Sequence, residues 1–145
     1  MKTSTVLFAT FGLITTWFGD AVPWEHLNVN DSLLLILDLQ VGLYQLARDW
    51  DPTLCSNNML AHAGIGKLFD LPVFMSTSAQ QGPNGPLPKE ILDMDPDAPL
   101  VTRQGEVDAW DNAEFRATVK AANKSQIIVS ALRRTSCRSE DILSM

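Results

Sequence analysis

The run Ser32-Leu33-Leu34-Leu35-Ile36-Leu37, closed by Asp38, constrains the fold more than any other stretch of this chain. Its length is that of a strand, and its apolar residues do not alternate with polar ones. A strand with one face in water alternates; a strand that is apolar on both faces belongs inside a parallel sheet with helices over each face. Asn30 and Asp31 punctuate its start. With 145 residues the chain has room for one domain and one core, and 46% apolar against 19% charged residues is a globular composition.

The elements that follow suit such a sheet. From Pro52 to Phe69, the residues Leu54, Met59, Leu60, Ala63, Ile65, Leu68 and Phe69 recur at helical spacing. Asp51 and Pro52 open this helix as N-cap and first-turn proline. Gly64 and Gly66 weaken it, each by about 1 kcal/mol against Ala, and let it approach the sheet closely. Residues 72–77 read as a second strand, 79–90 as a Gly/Pro-rich loop and 99–102 as a third strand. Residues 111–123 read as a helix capped by Asp111 or Asn112, with Phe115, Val119 and Ala122 inward, and 125–130 as a fourth strand. The order β-α-β-loop-β-α-β predicts an α/β fold, an open and mostly parallel sheet with helices on both faces.

A net charge of −6 argues against nucleic acid, whose phosphates need a basic surface. Arg133, Arg134 and Arg138 form the one basic cluster. Lys2 followed by the apolar run from Val6 to Ile14 has the make-up of a secretory leader and is too short to span a bilayer. Residues 1–22 are therefore read as a signal peptide, with a signal anchor or a non-core start as alternatives, and the chain as secreted or else cytoplasmic. No membrane contact is expected once the leader is gone. His26 and His62 lie far apart without ligand spacing, so no metal and no cofactor are expected. Two cysteines do not make a disulfide framework, and Cys55, among the apolar residues of a helix, reads as core.

In such sheets the reactive residues collect at the carboxyl ends of strands. Asp38 follows the first strand, Arg103 the third, and Cys137 lies beyond the fourth. A cation lowers a thiol's pKa and holds the thiolate; a carboxylate takes the thiol proton and returns it to a leaving group; backbone amides beside the cysteine bind the oxyanion. By residue type alone each has a plainer role as well, Asp38 as a local cap and Arg103 as a surface or salt-bridge residue.

Several stretches fall together in a pattern: Asp38-x-Gln40-x-Gly42-Leu43, Asn57-Asn58, Lys67-x-Phe69-x-Leu71-Pro72, Gly82-Pro83-Asn84-Gly85-Pro86-Leu87, Arg103-x-Gly105 and Ala109-Trp110-Asp111-Asn112. Over residues 23–130 the chain resembles the YcaC-like branch of the isochorismatase-like cysteine hydrolases. The resemblance implies a three-layer α/β/α domain and a triad of Asp38, Arg103 and Cys137. It also implies hydrolysis of the C–N bond of a small amide through an acyl-thioester, and assembly of full-length relatives into homo-oligomers. Asn84 and Trp110 are then candidates for substrate binding at the pocket mouth or for a subunit contact; Trp110 equally suits burial as the anchor of the following helix. The Asp-x-His-His metal cluster of the family's nicotinamidases is absent.

The tail, residues 131–145, departs from that pattern. Cys137 keeps the register of the nucleophile, but Arg133 and Arg134 stand where the family has apolar or turn-forming residues. Codons for the residues from Ala131 on, read one base earlier, can spell Gly-Ile-Ala-Thr-Asp-Val, the run expected before the nucleophile, so a frame slip at or before Ala131 is one explanation. It would make Cys137 an accident of register. A domain cut short there leaves the fourth strand as an open edge, removes helix cover from one side of the sheet and leaves Leu33–Leu37 incompletely buried. The readings are thus a cysteine hydrolase, a truncated and inactive member of the family or, more remotely, a secreted binding module that uses the Gly/Pro loop.

Overall fold

The computed structural model describes residues 26–46 and 51–132. The leader reading of residues 1–22, the Arg133–Arg134 pair and Cys137 lie outside them. Strands β1 (Ser32–Leu37), β2 (Val73–Ser78), β3 (Leu100–Arg103) and β4 (Gln126–Ala131) form one parallel sheet in the order β3-β2-β1-β4. Among the described residues, four helices join them: α1 (Val41–Tyr44), α2 (Pro52–Phe69), α3 (Lys89–Met94) and α4 (Ala113–Ala121). Single 3-10 turns precede β1 and α4, at Val29–Asp31 and Ala109–Asp111.

β1 alternates its side chains between two cores. Leu34 and Ile36 pack with Met59 and Ala63 of α2, Ile91 of α3, and Val73 and Met75 of β2. Leu33, Leu35 and Leu37 pack on the other face with Ala109, Phe115 and Val119. The predicted three-layer α/β architecture is therefore present. The expected incomplete burial of Leu33–Leu37 is not: all five are 0% exposed. β1 is an inner strand, hydrogen-bonded to β2 on one side and β4 on the other, and residues 52–122 already supply both helical layers. Burying each of these side chains is worth roughly 1.5–3 kcal/mol. Among the described residues, β3 and β4 are the edge strands, with Leu100 39% and Val129 37% exposed.

α2 begins and ends as its sequence requires. The Asp51 carboxylate accepts from the Leu54 N–H at 2.8 Å, Pro52 occupies the first turn, and Asp70 closes the helix at φ 52°. The buried stripe is narrower than the apolar spacing suggests. It runs Cys55, Met59, Ala63, Gly66, while Leu54, Leu68 and Phe69 lie exposed. Gly66 is the point of closest approach: a Cβ there would sit 2.3 Å from Val73 Cγ2.

Several boundaries move from their predicted places, among them both ends of the strands read over 72–77 and 125–130, which shift one residue onward. The loop read over 79–90 gives way at Lys89 to α3, a short helix whose single buried residue is Ile91. The helix read over 111–123 is α4 alone, with Asn112 as its N-cap, because residues 109–111 form a separate turn. Arg103 is the last residue of β3 rather than the first beyond it.

Candidate active site

The carboxyl ends of β1, β2 and β3 converge on a buried ion pair. β1 ends at Leu37 because Asp38 adopts φ 55°, a left-handed conformation that costs a non-glycine residue about 1–3 kcal/mol. Arg103 reaches Asp38 from β3, across the intervening strand β2. Adjacent strands lie about 4.8 Å apart, so the side chain must span two of those gaps. Its Nη2 donates to Asp38 Oδ1 at 2.5 Å and Oδ2 at 2.6 Å. On the way, Nε donates to Ser76 Oγ at 2.8 Å and Nη1 to the carbonyl of Glu106. Arg103 is 1% exposed and Asp38 3%. Two charges so deep recover their desolvation cost only with good geometry and further hydrogen bonds, which Ser76 and Glu106 supply to the guanidinium.

The Gly105–Asn112 segment frames the cation. The Glu106 carboxylate accepts from Asn112 Nδ2 at 3.1 Å and from the Gly105 N–H at 3.2 Å, while Asn112 Oδ1 caps α4 through the Phe115 N–H at 3.0 Å. Hydrogen bonds from its own backbone N–H, then from Asn112 and Gly105, hold the Glu106 carboxyl below its ordinary range. Trp110 meets Phe115 edge-on, with ring centroids 6.4 Å apart and planes at 80°, and its carbonyl accepts from Arg116.

The Gly82–Leu87 loop is strapped to the chain just after Asp38. The Val41 N–H donates to the Pro86 carbonyl at 3.0 Å and the Gly42 N–H to the Asn84 carbonyl at 2.9 Å. Asn84 Nδ2 donates to the Ser78 carbonyl at 2.8 Å. A side chain at position 42 has no room, since its Cβ would stand 2.0 Å from the Pro83 oxygen. Gly85 sits at φ 67°. Next to this loop, a cavity of about 180 Å³ lies between Ala79, Gln81, Gly82, Thr102 and Arg103.

Of the residues singled out by sequence, the structure brings Asp38 and Arg103 into direct contact. Asn84 and Trp110 are engaged elsewhere, with Ser78 and Phe115 respectively. Cys137 lies outside the described residues. The strand that leads to it ends beside the pair, because Ala131 is in register with Leu37, the residue before Asp38. Cys55 is buried in α2 with its Sγ 3.9 Å from Met59 Sδ, as its core reading requires. Sequence reasoning missed Ser76 and the Glu106 carbonyl as partners of the guanidinium. The change from apolar Val73-Phe74-Met75 to polar Ser76-Thr77-Ser78 within one strand was the available signal for Ser76; a backbone carbonyl leaves none.

No protein-family profile matches the chain. A curated relative, the probable hydrolase YcaC of Escherichia coli K12, is 41% identical over 115 residues, which are 79% of this chain and 55% of that protein. The crystal structure of the Escherichia coli ycaC product, described as an octameric hydrolase of unknown specificity, superposes with a TM-score of 0.73 at 44% identity. That match covers 76% of this chain and 54% of the other. YcaC from Pseudomonas aeruginosa, solved with hexane-2,5-diol and covalent acrylamide, gives 0.74 at 42% identity, covering 77% and 55%. The chain spans about half the length of these relatives. Over that half, identity and fold agree, and both support the resemblance to the YcaC-like branch.

Proposed function

We propose that this chain is a hydrolase of the isochorismatase-like type, acting on the C–N bond of a small amide with Cys137 as nucleophile, Asp38 as proton carrier and Arg103 as the cation. The observation that carries the reading is the buried Asp38–Arg103 pair at the carboxyl edge of the sheet, beside the end of the strand that leads to Cys137. The curated relative is a probable hydrolase, and the Pseudomonas aeruginosa YcaC carries covalent acrylamide, which is both a small amide and an electrophile toward thiolates. In the proposed reaction Asp38 accepts the thiol proton and the thiolate adds to the amide carbonyl. The C–N bond then breaks as the proton passes to the leaving nitrogen. Water cleaves the acyl-thioester, releasing the acid and restoring the thiol. Asn84 and Trp110 contribute by fixing the rim of the site. Homo-oligomeric assembly is proposed by analogy with the octameric relative.

One observation favours the inactive reading: Arg103 already holds both oxygens of the Asp38 carboxylate, so the acid enters as a satisfied ion pair. Iodoacetamide labelling of the full chain separates the two. A hydrolase alkylates at Cys137 roughly tenfold faster than at Cys55, is slowed by Asp38→Asn, and loses ammonia release from small primary amides on Cys137→Ser. Equal reactivity of the two thiols, with no ammonia released, selects the inactive reading.

A further inference from the structure

The β1–β2 ladder breaks in an unusual way beside the ion pair. The Leu34 N–H donates to the Pro72 carbonyl at 2.9 Å, and the Asp38 N–H to the Ser76 carbonyl at 3.0 Å. Bonds along a parallel ladder are evenly spaced and pass alternately from one strand to the other. The next rung is therefore due from the Ser78 N–H to the Asp38 carbonyl. It does not form, because Asp38 turns at φ 55° and β1 stops at Leu37, whereas β2 runs on through Ser78. The Ser78 N–H donates instead to Gln40 Oε1 at 2.9 Å. The other end of the same amide, Nε2, donates to the Gly85 carbonyl. Gln40 is 0% exposed.

We propose that Gln40 is a positioning residue: its side-chain amide replaces the lost rung, and so holds Asp38 in its left-handed turn with the carboxylate on Arg103. The inference rests on the Asp38–Arg103 pair being the acid and cation of the site. A non-glycine residue keeps such a backbone conformation only where its surroundings enforce it. Gln40 enforces it from two residues downstream, by anchoring the chain after the turn to β2 and to the Gly82–Leu87 loop at once. The task demands an uncharged group with an acceptor and a donor at glutamine's reach. Glutamate keeps the acceptor and lacks the donor, methionine has no donor and only a weak sulfur acceptor, and asparagine is a methylene short.

The test uses the full chain as wild type, Gln40→Met and Gln40→Glu, with hydrogen exchange followed by NMR at the Ser78 and Gly42 amides, the Arg103 Nε–H and the Leu35 amide in mid-β1. In Gln40→Met, the Ser78 amide and Arg103 Nε–H are expected to exchange at least about tenfold faster, with Leu35 within about threefold of wild type. In Gln40→Glu, the Ser78 and Arg103 signals stay within about threefold, while Gly42 exchanges faster because the loop has lost its tie through Gly85. Faster exchange at Ser78 with Arg103 unmoved in Gln40→Met overturns the proposal, as does a uniform rise that includes Leu35. If Gln40→Met does not fold, Gln40→Glu decides: Ser78 and Arg103 protected together support the proposal, and Arg103 exposed with Ser78 protected sinks it. The pH profile of Cys137 alkylation adds a functional readout, expected to shift in Gln40→Met with that of Cys55 unmoved. A wild-type Cys137 no more reactive than Cys55 counts against the cysteine chemistry alone, since the exchange readouts do not involve that residue.

Discussion

Arg103 and Asp38 stand 65 residues apart in the chain and two strands apart in the sheet, yet one guanidinium nitrogen lies 2.5 and 2.6 Å from the two carboxylate oxygens. The contact needs all three strand ends. β3 supplies the cation, β2 supplies the Ser76 hydroxyl that steers Nε, and β1 supplies a carboxylate turned inward by a left-handed residue. Lysine cannot replace this arginine, because it has neither the donor for Ser76 nor the fork that addresses Glu106 and Asp38 together.

Breaking the pair from one side is expected to cost far more than removing it whole. Asp38→Ala or Arg103→Met leaves an unpaired charge at 1% or 3% exposure and should lower unfolding free energy by about 3–5 kcal/mol. The double variant should recover most of that loss while abolishing any activity. Urea denaturation of the four proteins closes the cycle; additive losses would show that the two residues are not coupled.

Two glycines predict opposite outcomes for the same substitution. Gly42→Ala places a Cβ 2.0 Å from the Pro83 oxygen and 2.9 Å from the Asn84 oxygen, both backbone atoms, so the loop must shift; a loss of about 1–3 kcal/mol is expected. Gly64→Ala, on α2, meets nothing within 4 Å and should stabilise by roughly 0.5–1 kcal/mol through helix propensity. Thermal melts of the two variants should move in opposite directions.

Asp95 should make stability depend on pH in a direction opposite to that of a salt-bridged acid. Its Oδ2 is buried without a hydrogen-bond partner, and burial raises its pKa above the ordinary 3.8, with Lys67 pulling the other way. A raised folded pKa means that the native state holds the proton more tightly. The stability gained from that proton is fully present below the unfolded pKa and is lost as pH rises through the folded one. Asp95→Asn should therefore gain on wild type in denaturation midpoint at pH 7 relative to pH 3. An equal difference at the two pH values would contradict the burial argument.

Trp110 distinguishes an anchor from a ligand contact. Its edge-to-face contact with Phe115 is worth about 0.5–1.5 kcal/mol beyond buried area. Trp110→Phe should keep most of the stability that Trp110→Ala loses, as read by thermal melts. If Trp110→Ala melts like wild type, the residue does not anchor α4.

How much was legible in advance follows from how local each determinant is. The Ser32–Leu37 run sets a strand buried on both faces, and Asp51-Pro52 sets the start of α2, because each depends on residues adjacent in the chain. The Asp38-x-Gln40-x-Gly42 and Gly82–Leu87 stretches could be picked out as a pair, but not why they belong together. Position 42 is glycine because the Pro83 oxygen occupies the space of its Cβ, and only the folded chain brings those residues into contact. α3 escaped notice because a six-residue helix with one buried side chain leaves almost no periodic signal.

The sequence by itself determined the α/β class and the parallel core strand, since hydrophobic patterning and capping act over neighbouring residues; it set an acid and a cation at strand ends without joining them. Tertiary structure alone decided that Ser76 and the Glu106 carbonyl orient the guanidinium and that a glutamine side chain takes the place of a ladder rung. It also decided that residues 52–122 are enough to cover both faces of β1. Those outcomes depend on strand order and on a single left-handed residue, Asp38, and neither leaves a local pattern in the chain.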